Sequence, residues 1–256
     1  MTLLSIVTVH LNDLVGLERT RRSVECLLSL STIEWIVVDG ATECNSEEER
    51  AILELSLGQA DKALSENDDG IYDAMNKGTA LATGEFVLYL NAGDELHHSL
   101  DIEAVIGYLR GTSADVSWMI CIEKYPDGKE VRLKTRHPRW AWYCMPASHQ
   151  VTFFRRTALG AAPYDTRYRI AADYDLVCRL IKAGRPTDTT DRVAAISYRG
   201  GVSHTEVSLS LEEENNVRLN HFNISPVFSR MIMGFKAFNL RLARVASLRA
   251  WWRRRI

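Results

Sequence analysis

The chain predicts an α/β fold built on a mostly parallel sheet with helices on both faces. Three observations carry that prediction. Short apolar runs alternate with helix-length stretches through the first hundred residues. The runs are continuous rather than alternating, as strands covered on both faces require. Each run ends on polar or acidic residues, the pattern of strand ends that meet a ligand.

The elements follow in order. Leu3 to Val9 reads as a first buried strand. Leu14 to Leu30 has helical spacing, with Leu14, Leu17, Val24, Leu27 and Leu28 on one side. Trp35 to Val38 is a second strand, ending at Asp39-Gly40. Glu47 to Leu57 is a helix and Lys62 to Ser65 a third strand. Tyr72 to Ala82 is a helix stopped by Thr83-Gly84. Phe86 to Leu90 is a fourth strand, followed by Asn91-Ala92-Gly93-Asp94. Strand–helix–strand repetition of this kind gives parallel pairing.

The second half changes character. Val116 to Glu123 and Glu130 to Leu133 flank Pro126-Asp127-Gly128 and predict a hairpin. Gln150 to Phe154 reads as a strand, Ala171 to Ala183 as a helix ending at Gly184, and Val193 to Tyr198 as a last strand before Gly200-Gly201. This half is expected to extend the same sheet.

Composition bounds the function. The 256 residues are 46% hydrophobic and 25% charged, the profile of a soluble globular protein. The net charge of −2 hides an asymmetry: residues 230–256 hold eight of the 31 Lys/Arg and none of the 33 Asp/Glu. Cys26, Cys44, Cys121, Cys144 and Cys178 form no CxxC pair, which argues against a zinc or redox motif and for isolated thiols in a reducing compartment. The N-terminal apolar stretch meets His10 and Asn12 and is too short for a signal peptide or a membrane span. Cytoplasmic residence is the expectation.

The run from Ser65 to Asp94 carries the densest chemistry. An acidic residue on a tight turn after a buried strand is where an α/β protein places a metal or a phosphate. Asp73 and Lys77 are four apart on the helix and share a face. These features point to an enzyme acting on a phosphorylated substrate. In the tail, Met231, Phe235, Phe238, Leu242, Val245 and Ala246 recur at helical spacing, with Arg230, Lys236, Arg241 and Arg244 off that stripe. Trp251-Trp252-Arg253-Arg254-Arg255 follows. A basic amphipathic helix with terminal tryptophans suits an anionic membrane surface through residues 230–256, peripheral at the inner face. No nucleic-acid recognition module accompanies it.

These motifs together resemble the family 2 glycosyltransferases, which have the GT-A fold, and among them bacterial exopolysaccharide enzymes of the colanic-acid type. The resemblance spans roughly residues 3 to 205. It rests on Ser5-Ile6-Val7-Thr8-Val9, Trp35-Ile36-Val37-Val38-Asp39-Gly40, Ser65-Glu66 with Asp68 through Gly78, and Leu90-Asn91-Ala92-Gly93-Asp94. It continues through Ser148-His149-Gln150, Ile170-Ala171-Ala172-Asp173-Tyr174-Asp175 and Gly200-Gly201-Val202-Ser203. It implies a GT-A, Rossmann-like domain whose residues 1–100 bind the nucleotide sugar and whose residues 101–205 bind the acceptor, with 206–256 as a helical basic extension.

The resemblance also implies chemistry: an inverting hexosyltransferase that moves a sugar from a nucleotide-diphosphate sugar to a saccharide acceptor, polyprenyl-diphosphate-linked, in exopolysaccharide biosynthesis. Mg²⁺ or Mn²⁺ bridges the diphosphate in such enzymes and stabilises its developing charge. Asp94 matches the metal-binding carboxylate, with Asn91 and Gly93 where further acids often stand. Asp39 matches the residue that recognises the base, and Gly40 replaces its usual acidic companion. Thr8, Val9, Glu66, Asp68, Asp73, Asn76, Lys77, Asn91, Ala92 and Gly93 complete the expected donor pocket. Asp173 matches the general base, with Asp175 in support. His149, Gln150, Gly201 and Ser203 are expected at the acceptor or the diphosphate. Trp140, Trp142 and Tyr143 offer either a sugar-stacking surface or core packing. Two other readings stay open: a catalytically silent saccharide-binding scaffold and a sugar nucleotidyltransferase. The second lacks a glycine-rich basic loop after the first strand, at Thr8 to Asn12.

Overall fold

The computed structural model describes residues 1–199 and 205–253, with side chains to residue 242. The first four strands and three helices alternate as the sequence predicts: β1 (Leu4–His10), α1 (Leu14–Val24), β2 (Ile33–Asp39), α2 (Glu47–Gln59), β3 (Lys62–Ser65), α3 (Ile71–Leu81) and β4 (Phe86–Tyr89). Then come β5 (Glu95–Leu96), α4 (Ile102–Gly111), β6 (Val116–Lys124), β7 (Glu130–Leu133), β8 (Thr152–Arg155), α5 (Arg156–Leu159), α6 (Ala172–Lys182) and β9 (Thr187–Tyr198). Two helices close the chain, α7 (Val207–His221) and α8 (Pro226–Arg253).

The nine strands form one sheet in the order β3-β2-β1-β4-β8-β6-β9-β5, with β7 also paired to β6. β3, β2, β1 and β4 are parallel. β8 enters antiparallel beside β4 and carries β6 on its other edge. β9 runs parallel to β6 with a register irregularity near Trp118 to Cys121. Both halves of the chain thus share a single mixed sheet.

Alternation along the strands splits the core into two layers. Leu4, Ile6, Trp35 and Val37 face Leu14, Leu17, Val24, Val105 and Leu109 of α1 and α4. Val7, Val9, Ile36 and Val38 face Tyr72, Met75, Leu176, Val177 and Leu180 of α3 and α6. Gly78 lets α3 approach β1: a Cβ there would stand 2.3 Å from Val7 Cγ1.

The amino-terminal edge of the parallel strands is tied by one buried carboxylate. Glu34 of β2 accepts from Ser5 Oγ (2.5 Å), Lys62 Nζ (2.8 Å), Thr83 N (2.6 Å) and Gly84 N (3.1 Å). Burial pushes its carboxyl up, but the donors from Lys62, Ser5 and Thr83 outweigh this and hold it down at about 2.

Four elements depart from expectation. The first helix stops at Val24 and tightens into a 3-10 turn at Glu25–Leu27. The last strand begins at Thr187, before the apolar run, because its exposed first residues pair with β6. α4 and the two-residue β5 fall in a stretch to which the sequence assigned no element.

Candidate active site

The turn after β4 is built by its neighbours. Leu90 N and Ala92 N bond to Val7 O and Val9 O, so the chain stays beside β1 past the end of the strand. Asp94 N returns to Asn91 O at 3.0 Å and closes a four-residue turn. Its third residue, Gly93, has φ +94, the left-handed region that a turn of this type requires there. Thr20, buried in α1, pins the turn: its hydroxyl accepts from Gly93 N (3.1 Å) and donates to Asp94 O (2.6 Å).

Across this turn lies the 3-10 segment His149–Val151 that leads into β8. Gln150 Nε2 donates to Asp94 Oδ2 at 3.1 Å. His149 stands between two carboxylates: its Nε2 is 3.9 Å from Asp94 Oδ2 and its Nδ1 is 3.8 Å from Asp173 Oδ2. Asn91 Nδ2 lies 3.4 Å from the same Nε2. Asp173 sits in the first turn of α6. The fold therefore brings Asn91, Asp94, His149, Gln150 and Asp173 to one place from three segments of the chain.

Burial sets the charge states. It raises Asp94 to about 7, a rise that the Gln150 hydrogen bond only moderates. It raises Asp173 to about 6 against the hydrogen bond from Tyr174 N. It lowers His149 to about 4, so the ring is neutral at pH 7. Among the described residues Asp94 thus has no cation beside it, and Asn91 Oδ1 is buried without a hydrogen-bond partner. No cluster of three His, Cys, Asp or Glu with metal-ligating geometry occurs among the described residues. One carboxylate plus one orphaned amide oxygen fits Mg²⁺ or Mn²⁺, hard ions that take oxygen ligands and draw most of them from substrate phosphates and water.

The donor-side residues divide into surface and scaffold. Asp39, at the end of β2, is fully buried; Ser65 Oγ donates to Oδ2 at 2.6 Å, Thr42 N donates to Oδ1 at 3.0 Å, and His10 Nε2 lies 3.1 Å from Oδ1. Burial lowers the His10 pKa, although Asp39 and Asp13 pull it up. Thr8 faces the core, donating to Leu90 O and accepting from Trp35 Nε1, and Val9 is buried in the second layer. Asp68 reaches over Gly40, where a Cβ would stand 2.6 Å from its Oδ2. Its carboxylate occupies the space that a side chain at position 40 would fill. Lys77 orders the loop before α3 by binding Asn67 O (2.6 Å), Glu66 (3.0 Å) and Asp73 (3.3 Å). Asn76 pairs with both the N–H and the C=O of Tyr164, at 2.9 Å each, and anchors that distant segment. Ala92 is half-buried at the tip of the turn.

Other expected residues lie elsewhere. Asp175, two residues beyond Asp173, leaves α6 on another side. It binds His221 Nε2 at 2.6 Å and Arg179 Nε at 3.2 Å on the wall of a separate polar cavity. Trp142 stacks on Phe228 of α8, and Lys236 lies over Tyr143, so the aromatic segment packs against α8. Gly201 and Ser203 lie outside the described residues.

Four supporting residues escaped sequence reasoning: Thr20, Tyr72, Glu213 and His221. Thr20 left a trace, a polar residue on the apolar face of α1. Tyr72 belongs to the recognised motif, and its hydroxyl donates to Ile170 O at 2.5 Å beside the Asp173 segment. Glu213 lies in a Glu212-Glu213-Glu214 run that reads as a solvated face, and His221 stands alone near the end of α7.

Comparison with known proteins agrees with this arrangement. A PGL/p-HBAD biosynthesis glycosyltransferase of Mycobacterium tuberculosis is 28% identical over 186 residues, 68% of this chain and 69% of the relative. The fold is similar to that of S. aureus TarS 1-349 in complex with UDP-GlcNAc, with TM-score 0.61 and 15% identity over 91% of this chain and 70% of that one. It is similar also to the mannosyltransferase PcManGT of Pyrobaculum calidifontis in complex with GDP-Man and Mn²⁺, with TM-score 0.62 and 13% identity over 92% and 69%. The mixed, mostly parallel sheet flanked by helices is thus the GT-A architecture. The model of the family described as glycosyl transferase family 2 matches residues 5–172, over half of the chain, and the chain therefore belongs to the family 2 glycosyltransferases.

Proposed function

We propose that this glycosyltransferase takes a nucleotide-diphosphate sugar and transfers the sugar, with inversion, to a saccharide acceptor carried on a polyprenyl diphosphate, in assembly of an exopolysaccharide or another surface polysaccharide. The observation that carries the catalytic reading is the meeting of Asp94 and Asp173 across His149 at the carboxyl end of the sheet. In-line displacement needs a proton acceptor on one side of the anomeric carbon and charge stabilisation for the diphosphate on the other.

Asp173 takes the proton from the acceptor hydroxyl as its oxygen bonds to the anomeric carbon and the bond to the diphosphate breaks. A pKa near 6 leaves it ionised at neutral pH yet basic enough to accept. A divalent cation, when bound, neutralises charge on the leaving diphosphate. Asp94 and Asn91 Oδ1 are the groups placed to hold it, with Gln150 fixing the Asp94 carboxylate. Neutral His149 separates the two carboxylates and keeps them from repelling each other directly. Asp68, beside Gly40 and above buried Asp39, is placed to read the base, and Lys77 holds that loop.

No helix among the described residues is long and apolar enough to cross a membrane. α8 instead exposes Val227, Met231, Phe235, Phe238 and Leu242 at spacings of three and four. Arg230 and Arg241 are exposed on the same helix, whereas Lys236 turns inward to Glu214, and the helix carries no acidic residue. This supports peripheral attachment to an anionic membrane surface, which suits a lipid-carried acceptor.

Thermal unfolding with UDP, GDP and dTDP, each with and without Mn²⁺, tests the donor assignment. One nucleoside diphosphate is expected to raise Tm, and to do so chiefly with Mn²⁺. A Tm unmoved by all three, with or without the metal, would defeat the reading.

A further inference from the structure

We infer that Glu213, on a helix outside the family-matched segment, is a positioning residue for Asp173, and that α7 is thereby part of the catalytic apparatus. The inference rests on the reading of Asp173 as the base.

A helix start leaves N–H groups that need acceptors. α6 begins after Ala171, whose side chain cannot cap it. For Ala171 itself, and for the two residues that lead into it, the acceptor comes from far along the chain. The N–H groups of Arg169, Ile170 and Ala171 all donate to the Glu213 carboxylate, at 2.8, 2.8 and 2.9 Å. Glu213 is only 7% exposed. Its charge is satisfied by these donors and by the amino-terminal dipole of α6. The opposite side of the segment is held from α3, where Tyr72 donates to Ile170 O.

α7 grips the same stretch at two more points. Asn220 Nδ2 donates to Tyr168 Oη at 3.0 Å, and His221 binds Asp175. Tyr168, residues 169–171 and Asp175 therefore all answer to one helix, and Asp173 lies inside that span. α7 is in turn seated on α8: Ser229 Oγ donates to Asn215 Oδ1 at 2.7 Å, and Lys236 pairs with Glu214 at 2.5 Å. The match to the family model ends at residue 172, so this support is built from sequence outside it.

The charge and reach of Glu213 are both needed. A carboxylate offers two oxygens to three donors, whereas an amide presents one oxygen and an NH₂ group that opposes a backbone N–H. A displacement of the base by about 1 Å is enough to cost about 100-fold in rate.

The test compares Glu213→Gln, Glu213→Asp and Asp173→Asn in the full chain. Nucleoside diphosphate release is measured from UDP-GlcNAc and from GDP-mannose with Mn²⁺, together with amide exchange over residues 169–175. Glu213→Gln is expected to lower kcat by about 10- to 100-fold with KM for the donor within about twofold of wild type. Glu213→Asp should restore part of the loss. In an Asp173→Asn background, Glu213→Gln should add no further loss. Amides 169–171 should exchange faster while the sheet core does not. Wild-type kcat in Glu213→Gln, a loss carried by KM alone, a full additional loss in the Asp173→Asn background, or unchanged exchange at 169–171 would each overturn the proposal. If neither donor turns over, exchange alone decides. Wild-type turnover in Asp173→Asn would instead overturn the base assignment, a distinct result.

Discussion

In the proposed reaction Asp173 and Asp94 act from opposite sides, and single substitutions separate the roles assigned to them. Asp173→Asn keeps the shape and removes the proton acceptor. It is expected to lower kcat by about 10²- to 10⁴-fold while nucleoside diphosphate binding, read by thermal shift, stays intact. Gly93 tests the turn. At φ +94 any side chain strains the backbone, so Gly93→Ala should cost about 1–3 kcal/mol and lower Tm by several degrees. It should also weaken the Mn²⁺-dependent part of the nucleotide shift, because Asp94 follows directly; an unchanged shift would detach the turn from the metal. Asp94 stood out in the sequence as an acidic residue on a turn after a buried strand, and Asp173 only through the family resemblance. Tyr72 and Glu213 did not stand out. A tyrosine on a helix reads as core, and a glutamate among glutamates reads as surface, until the partner strands and helices are in place.

At the scale of elements, the parallel half was predictable because each strand is a continuous apolar run between helices, a pattern that needs no partner to be read. α4, β5 and the early part of β9 were not. β5 is two residues long and exists only because β9 lies beside it. The polar residues Thr187 to Thr189 pair with Val116 to Trp118 of β6, ahead of the apolar run. Glu34 is the element-scale joint, linking β1, β2, β3 and the entry to β4. Glu34→Gln is expected to destabilise the fold by about 2–3 kcal/mol, since Lys62 loses its counter-charge and the donors from Ser5 and Thr83 lose half their acceptor. Acid should act on the same joint. The folded carboxyl, near 2, lies below its ordinary value of 4.5. Its contribution is therefore full above about pH 4.5 and is lost as pH falls toward 2. Denaturant midpoints of wild type and Glu34→Gln between pH 6 and pH 3 should converge; a constant gap would refute this.

At the scale of the whole molecule, α6 is clasped between the sheet and the C-terminal pair, and the outer helix of that pair exposes an apolar stripe. Replacing Phe235 and Phe238 with Glu should reduce binding to phosphatidylglycerol vesicles at least about tenfold, with thermal stability unchanged because both side chains are exposed. Added salt should weaken wild-type binding, since the arginines of the helix contribute through long-range charge. Binding that ignores both changes would show that this face does not meet lipid. The stripe was visible in the sequence as a helical periodicity, but its outward direction was not, because the same pattern serves equally for packing on a domain.

The Glu34 joint lies at the amino-terminal edge of the parallel strands, and the proposed chemistry lies at their carboxyl ends. The Glu34 contribution to stability and the proposed substrate site therefore lie on opposite rims of one sheet. A variant library confined to the Ser5, Glu34, Lys62 and Thr83 rim can be selected for heat tolerance alone, and the donor preference of the survivors should drift little. The enzyme can be hardened and retargeted as two independent engineering problems.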